Sequence, residues 1–130
     1  MSSVKIPDGY QHVMPYIILK GADAFKRFLE DVFEGKEIYN QLREDGAIMH
    51  AEVKIGESVI MFAEATDKWD STPCALFVYV DDADKTFGKA LRHDSKVLME
   101  IADQSYGRTG GVKDTWGNTW WITAPLKNDK

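Results

Sequence analysis

The sequence predicts an α+β fold made of two tandem βαβββ modules, and three observations predict it. Two amphipathic helical stripes each follow a short strand-like run. Each stripe is then followed by three more strand-like runs. A shift of 61 residues superposes the two halves at widely separated points. The chain is expected to form one domain, residues 1–130, with module 1 at about 10–65 and module 2 at about 73–125.

The first module opens on Tyr16–Leu19, a β-branched and aromatic run that leads into Gly21-Ala22-Asp23. Phe25, Phe28, Leu29, Val32 and Phe33 then fall at i, i+3, i+4, i+7 and i+8, the spacing of one apolar helix face, and Gly35 is placed to stop it. Strands are expected at Ile38–Leu42, Ile48–Ile55 and Ser58–Ala63, joined at Asp45-Gly46 and Gly56-Glu57. A loop from Glu64 to Pro73 separates the modules. The second module repeats the order: a run at Leu76–Val80, acidic residues Asp81, Asp82 and Asp84 suited to a helix start, and a stripe of Ala83, Phe87, Ala90 and Leu91 ending near His93-Asp94. Its later strands are expected at Lys96–Ile101, Thr109–Lys113 and Thr119–Thr123. The shift of 61 places Leu19 on Val80, Ala22 on Ala83, Asp23 on Asp84 and Gly56 on Gly117.

Composition narrows the function. The 130 residues are 44% hydrophobic and 28% charged, a globular balance with room for a core. The net charge of -5 is spread without a basic run, which argues against nucleic acid or an anionic membrane as partner. Cys74 is the single cysteine, so an internal disulfide and a Cys-rich zinc site are excluded; it reads as a small buried hydrophobe. Met1–Tyr10 has no signal-like apolar stretch and no run reaches membrane-spanning length, so a cytoplasmic location is expected.

Several motifs resemble those of a known family. Ile48-Met49-His50-Ala51-Glu52, followed by Ile55-Gly56-Glu57-Ser58-Val59-Ile60-Met61, is similar to a run in PhnB-like members of the vicinal-oxygen-chelate (glyoxalase/bleomycin-resistance/dioxygenase) superfamily. Asp103-Gln104-Ser105-Tyr106-Gly107-Arg108, with Asp114-Thr115-Trp116-Gly117-Asn118 and Trp121, resembles that branch's ending, and Pro15-Tyr16-Ile17 its first strand. Thr115 stands where the branch usually has Pro, a departure expected to touch only the turn. The resemblance implies cup-like modules in a curved, mixed, eight-stranded sheet, with the helices on its outer face, a ligand cavity and a homodimer.

In metal-dependent members, ligands lie on the first and last strands of each module. The resemblance carries those positions onto Met14, Ala75, Trp121 and either Ile60 or Met61. None offers imidazole or carboxylate, so no metal and no cofactor are expected. His12, two residues before Met14 and on its face if that segment is a strand, could with His50 and Glu52 form an unusual 2-His-1-carboxylate set.

His50 and Glu52 share a strand face and could act as an acid–base pair, or simply satisfy each other. Tyr106 and Arg108 sit among Gly107, Gly110 and Gly111, read as a lid that binds an anionic or aromatic group or as a loop held by an ion pair. These glycines follow no strand-to-helix turn, so they are a poor nucleotide cradle. Trp120 and Trp121 alternate faces, and by the family register Trp121 faces inward with Met14, Tyr16, Met61 and Phe77. Trp69 reads as a contact or flap, and His93 as a helix end without function. The expected function is binding, by sequestration, of a small aromatic or anionic molecule. The alternative is a lyase, dioxygenase or isomerase/epimerase working through His50 and Glu52, with His12 if a metal takes part.

Overall fold

A computed structural model describes residues 3–126. The element order is β1 (Tyr16–Leu19), α1 (Ala22–Phe33), β2 (Lys36–Leu42), β3 (Ile48–Ile55), β4 (Ser58–Glu64), β5 (Ala75–Tyr79), α2 (Ala83–Arg92), β6 (Lys96–Gln104), β7 (Gly107–Lys113) and β8 (Thr119–Ala124). This is βαβββ twice. The strands hydrogen-bond as two four-stranded sheets, β1-β4-β3-β2 and β5-β8-β7-β6, and not as the single eight-stranded sheet expected. In each sheet the first strand lies parallel to the fourth, and the remaining pairs are antiparallel.

The chain divides into two compact units. One comprises the residues up to Glu30 with Glu34–Thr72; the other comprises Asp31–Phe33 with the residues from Pro73 onward. The five residues of the first helical stripe are all buried, as their spacing requires. In the first unit Phe25 meets Phe62 of β4 edge-on at 5.2 Å, which fixes Phe62 and Ile60 to the helix side of the sheet. Alternation therefore sends Val59, Met61 and Ala63 to the opposite face.

Helix α1 ends differently from expectation. Glu34, not Gly35, takes the left-handed conformation (φ 57°), and the amide of Gly35 donates to the Leu29 carbonyl at 3.0 Å. Gly35 is needed for space, because a Cβ there would lie 2.6 Å from Val53 Cγ1. At its other end α1 lacks a side-chain cap of its own. Glu64, from the end of β4, supplies one by accepting from the amides of Gly21 (3.1 Å) and Ala22 (2.9 Å). Helix α2 is capped locally by Asp82, which accepts from the Lys85 amide at 3.1 Å.

In α2 the stripe is Ala83, Thr86, Phe87 and Ala90, while Leu91 is 36% exposed. Leu91 lies roughly 80° round the helix from Ala83, which swings it off the buried face. Asp114 and Asn118 organise the β7–β8 turn. Asp114 accepts from the amides of Trp116 and Asn118, from Asn118 Nδ2 and from Trp120 Nε1, and Asn118 Oδ1 accepts from the Cys74 amide. Thr115 lies inside this turn and is exposed.

Candidate functional site

The register of the first sheet aligns four side chains across the face away from α1. Tyr39 on β2 pairs with Glu52 on β3, Glu52 with Met61 on β4, and Met61 with Tyr16 on β1. His50, two residues before Glu52, shares its face. His50 Nε2 donates to Glu52 Oε2 at 2.7 Å, and its Nδ1 lies 3.3 Å from the Tyr16 hydroxyl, which donates to it when the imidazole is neutral. The imidazole sits between two tyrosines, with ring centroids 5.4 Å from Tyr16 and 5.8 Å from Tyr39.

Glu52 is only 7% exposed, and an ionised carboxylate there requires donors. His50 serves Oε2 and the Tyr10 hydroxyl serves Oε1. That hydrogen bond, followed by burial and the charge of Glu52, holds the Tyr10 hydroxyl above its ordinary range, so Tyr10 stays a neutral donor. Tyr10 reaches Glu52 because the segment before β1 is strapped onto the sheet. Gln11 does this with its amide: Nε2 donates to the Val59 carbonyl (3.0 Å), and Oε1 accepts from the Val59 amide (3.2 Å).

Between strap and sheet lies a pocket of about 340 Å³, lined by Ile6, Pro7, Tyr10, Gln11, His12, Met14, Glu52 and Met61. Of the residues singled out in the sequence, Met14, Met61, Glu52 and His12 meet in this pocket, and His50 and Tyr16 adjoin it through hydrogen bonds. Tyr10 and Gln11 were not singled out. Nothing local marks them, since their partners are 42 and 48 residues away.

The second unit presents the same row with other chemistry. Phe77 on β5 pairs with Trp121 on β8, Trp121 with Gly111 on β7, and Gly111 with Met99 on β6. A Cβ at Gly111 would collide with the Trp121 ring, and one at Gly110 would come within 2.7 Å of Phe87 on the helix side. The adjacent glycines thus admit an aromatic ring on each face of one strand. The reading of Tyr106, Gly107 and Arg108 as part of a flexible glycine-rich lid is therefore corrected: β6 and β7 join in a tight turn at Ser105-Tyr106, and β7 starts at Gly107, ahead of the Thr109 expected. The alternative of an arginine held by an acidic neighbour agrees with the geometry. Tyr106 lies 6.3 Å from Phe77, ring to ring. Arg108 is held by Asp84 (2.7 and 3.1 Å) and Asp103 (3.0 Å); these two carboxylates raise its pKa, and Arg108 lowers that of Asp84. Cys74 is half-buried, and burial pushes its thiol up.

The positions that the resemblance assigns to a metal can now be placed. The offset of 61 between β1 and β5 becomes 60 between β4 and β8, so Met61 and not Ile60 is the counterpart of Trp121. Met14, Met61, Ala75 and Trp121 offer two thioethers, a methyl and an indole, which do not fit a hard or borderline divalent ion. His12 lies in a bend four residues before β1, so the strand geometry that would put it on the face of Met14 is absent there. Among the described residues no group of three His, Cys, Asp or Glu is arranged to hold a metal, so His12, His50 and Glu52 do not come together as a 2-His-1-carboxylate set. Among them, too, no helix is long and apolar enough to cross a membrane.

Comparison with known proteins gives concordant likenesses. The profile of the Glyoxalase/Bleomycin resistance protein/Dioxygenase superfamily matches residues 9–122. An uncharacterized protein of Mycobacterium bovis is 24% identical over 125 residues, covering 87% of this chain and 82% of the relative. Among solved structures, a putative 3-demethylubiquinone-9 3-methyltransferase, PhnB protein, from Bacillus cereus superposes with a TM-score of 0.72 at 19% identity, covering 88% of this chain and 99% of that one. TnmS3, an antibiotic binding protein from Streptomyces sp. CB03234, superposes with a TM-score of 0.68 at 16% identity, covering 88% and 96%.

Proposed function

The chain belongs to the glyoxalase/bleomycin resistance protein/dioxygenase superfamily, and we propose that it is a small-molecule-binding protein that captures an apolar, partly aromatic ligand without the superfamily's metal. One observation carries this reading. The pocket of about 340 Å³ is walled by Ile6, Pro7, Met14 and Met61 and holds one buried carboxylate with both oxygens already hydrogen-bonded. Its volume suits a small molecule, and its lining is that of a binding surface with a few polar groups to orient the guest. The likeness to an antibiotic binding protein supports small-molecule capture. Arg108 takes no part, since its guanidinium is engaged by Asp84 and Asp103. We place the protein, as a homodimer, in the cytoplasm.

The 2.7 Å contact between His50 and Glu52 favours one second reading, a metal-free isomerase or epimerase in which this pair moves a proton next to a carbonyl. The binding reading needs no movement of the pair, whereas catalysis needs one of its hydrogen bonds released.

Two measurements test the proposal. Aromatic small molecules screened by thermal shift and calorimetry are expected to raise the melting temperature of the wild type but not of Met61→Glu, which puts a second carboxylate in the pocket. Titration with Zn²⁺, Ni²⁺, Fe²⁺ and Mn²⁺ is expected to give no stoichiometric binding. Stoichiometric uptake lost in His12→Ala or His50→Ala would overturn the metal-free reading, and turnover of a bound molecule lost in Glu52→Gln would favour the isomerase.

A further inference from the structure

Resting on that pocket as the ligand site, we infer that it selects a small apolar molecule bearing one cationic nitrogen, with Glu52 as the residue that determines the choice. Among the pocket's lining residues Glu52 is the single Asp, Glu, Lys or Arg. Its two recorded partners are a phenol and an imidazole, both able to donate while neutral. The Tyr16 hydroxyl beside Nδ1 completes a chain running Tyr16 to His50 to Glu52, with Tyr10 closing from the other side. The cluster thus brings one carboxylate, held by two donors, to the wall of an apolar pocket.

A carboxylate has about four acceptor positions, and these donors use two. The Gln11 amide is held on both backbone groups of Val59, with no hydrogen bond to Glu52 recorded for it. Lys54, two residues further along β3, has its ammonium beside Gly9 and does not line the pocket. An entering ammonium would meet a fixed, desolvated acceptor, where a charge-assisted hydrogen bond is shorter and stronger than a neutral one. An entering carboxylate would meet repulsion in the same place. The net charge of -5 points the same way, since it draws cations towards the surface.

The test compares three probes of one shape: benzylamine, benzyl alcohol and benzoate. Binding is read from the methyl signals of the five methionines in protein labelled at the methionine methyl carbons. The Met14 and Met61 signals are expected to shift with benzylamine at about tenfold lower concentration than with benzyl alcohol, and not with benzoate. In Glu52→Gln, whose single amide oxygen accepts from one of the two donors while its NH2 faces the other, the preference for the amine over the alcohol is expected to vanish. The wild-type comparison stands even if that variant does not fold. If benzyl alcohol or benzoate binds as well as the amine, the inference falls and the ligand pocket stands. If no probe moves Met14 or Met61, both fall.

Discussion

The two units share one topology and one row of facing side chains, yet the rows do opposite things. In the first unit the row reads Tyr39, Glu52, Met61 and Tyr16, and it gathers His50 and Tyr10 into a hydrogen-bonded cluster around a buried carboxylate. In the second it reads Met99, Gly111, Trp121 and Phe77, with the carboxylate's place taken by a glycine under an indole. The turns differ in the same sense. The first unit closes β3–β4 with Gly56-Glu57 alone, whereas the second uses the network built on Asp114 and Asn118. The pairing geometry leaves the row free to change, because cross-strand neighbours constrain size and polarity together and not one at a time. A carboxylate recruits donors, and a glycine recruits a ring.

That contrast can be broken at its strongest point by Asp114→Ala. The substitution leaves Trp120 Nε1 and Asn118 without their buried acceptor and is expected to cost about 3–5 kcal/mol in urea unfolding. Glu57→Ala in the exposed counterpart turn should stay within about 0.5 kcal/mol. Equal losses would mean that the two turns are equivalent supports after all.

A smaller effect sharpens the aromatic side. Gly111→Ala pushes a methyl group into the Trp121 ring and should cost about 1–3 kcal/mol, with a changed near-ultraviolet dichroism of the displaced indole. Unaltered dichroism would show that the ring does not need the glycine.

The smallest effect concerns the polar side. The Tyr10 pKa is raised in the native state, so the native protein holds that proton more tightly than the unfolded chain. The resulting stability is fully present below the unfolded tyrosine pKa of about 10 and fades as pH rises through the native value. Wild type should therefore lose stability more steeply than Tyr10→Phe above about pH 10. Parallel curves would remove Tyr10 as the donor that steadies Glu52.

Much of the fold was legible because its signals are local. The stripe from Phe25 to Phe33, the turn at Asp45-Gly46 and the alternation that separates Trp120 from Trp121 depend on neighbours a few residues apart. Element order and type follow from them, and the observed order agrees. Glycine was the weak point. Gly107 looks like a loop residue in one dimension, and Gly110 and Gly111 look like poor members of the strand expected at Thr109–Lys113. Only the rings of Trp121 and Phe87 and the carbonyl of Ala124 explain why glycine stands at all three. For the candidate site, Met14 and Met61 were named through the family resemblance and His50 and Glu52 from their shared strand face, whereas Tyr10 and Gln11 could not be named.

By itself, then, the sequence determined two βαβββ modules and their helical faces, because periodicity and turn chemistry act within a few residues, and the family resemblance added Met14 and Met61. Tertiary structure alone decided that the strands separate into two sheets, that Glu64 caps α1, and that Gln11 and Tyr10 strap the leading segment over Glu52. Those partners are 42 to 48 residues apart, and no local preference of the chain specifies which distant donor meets a buried acceptor.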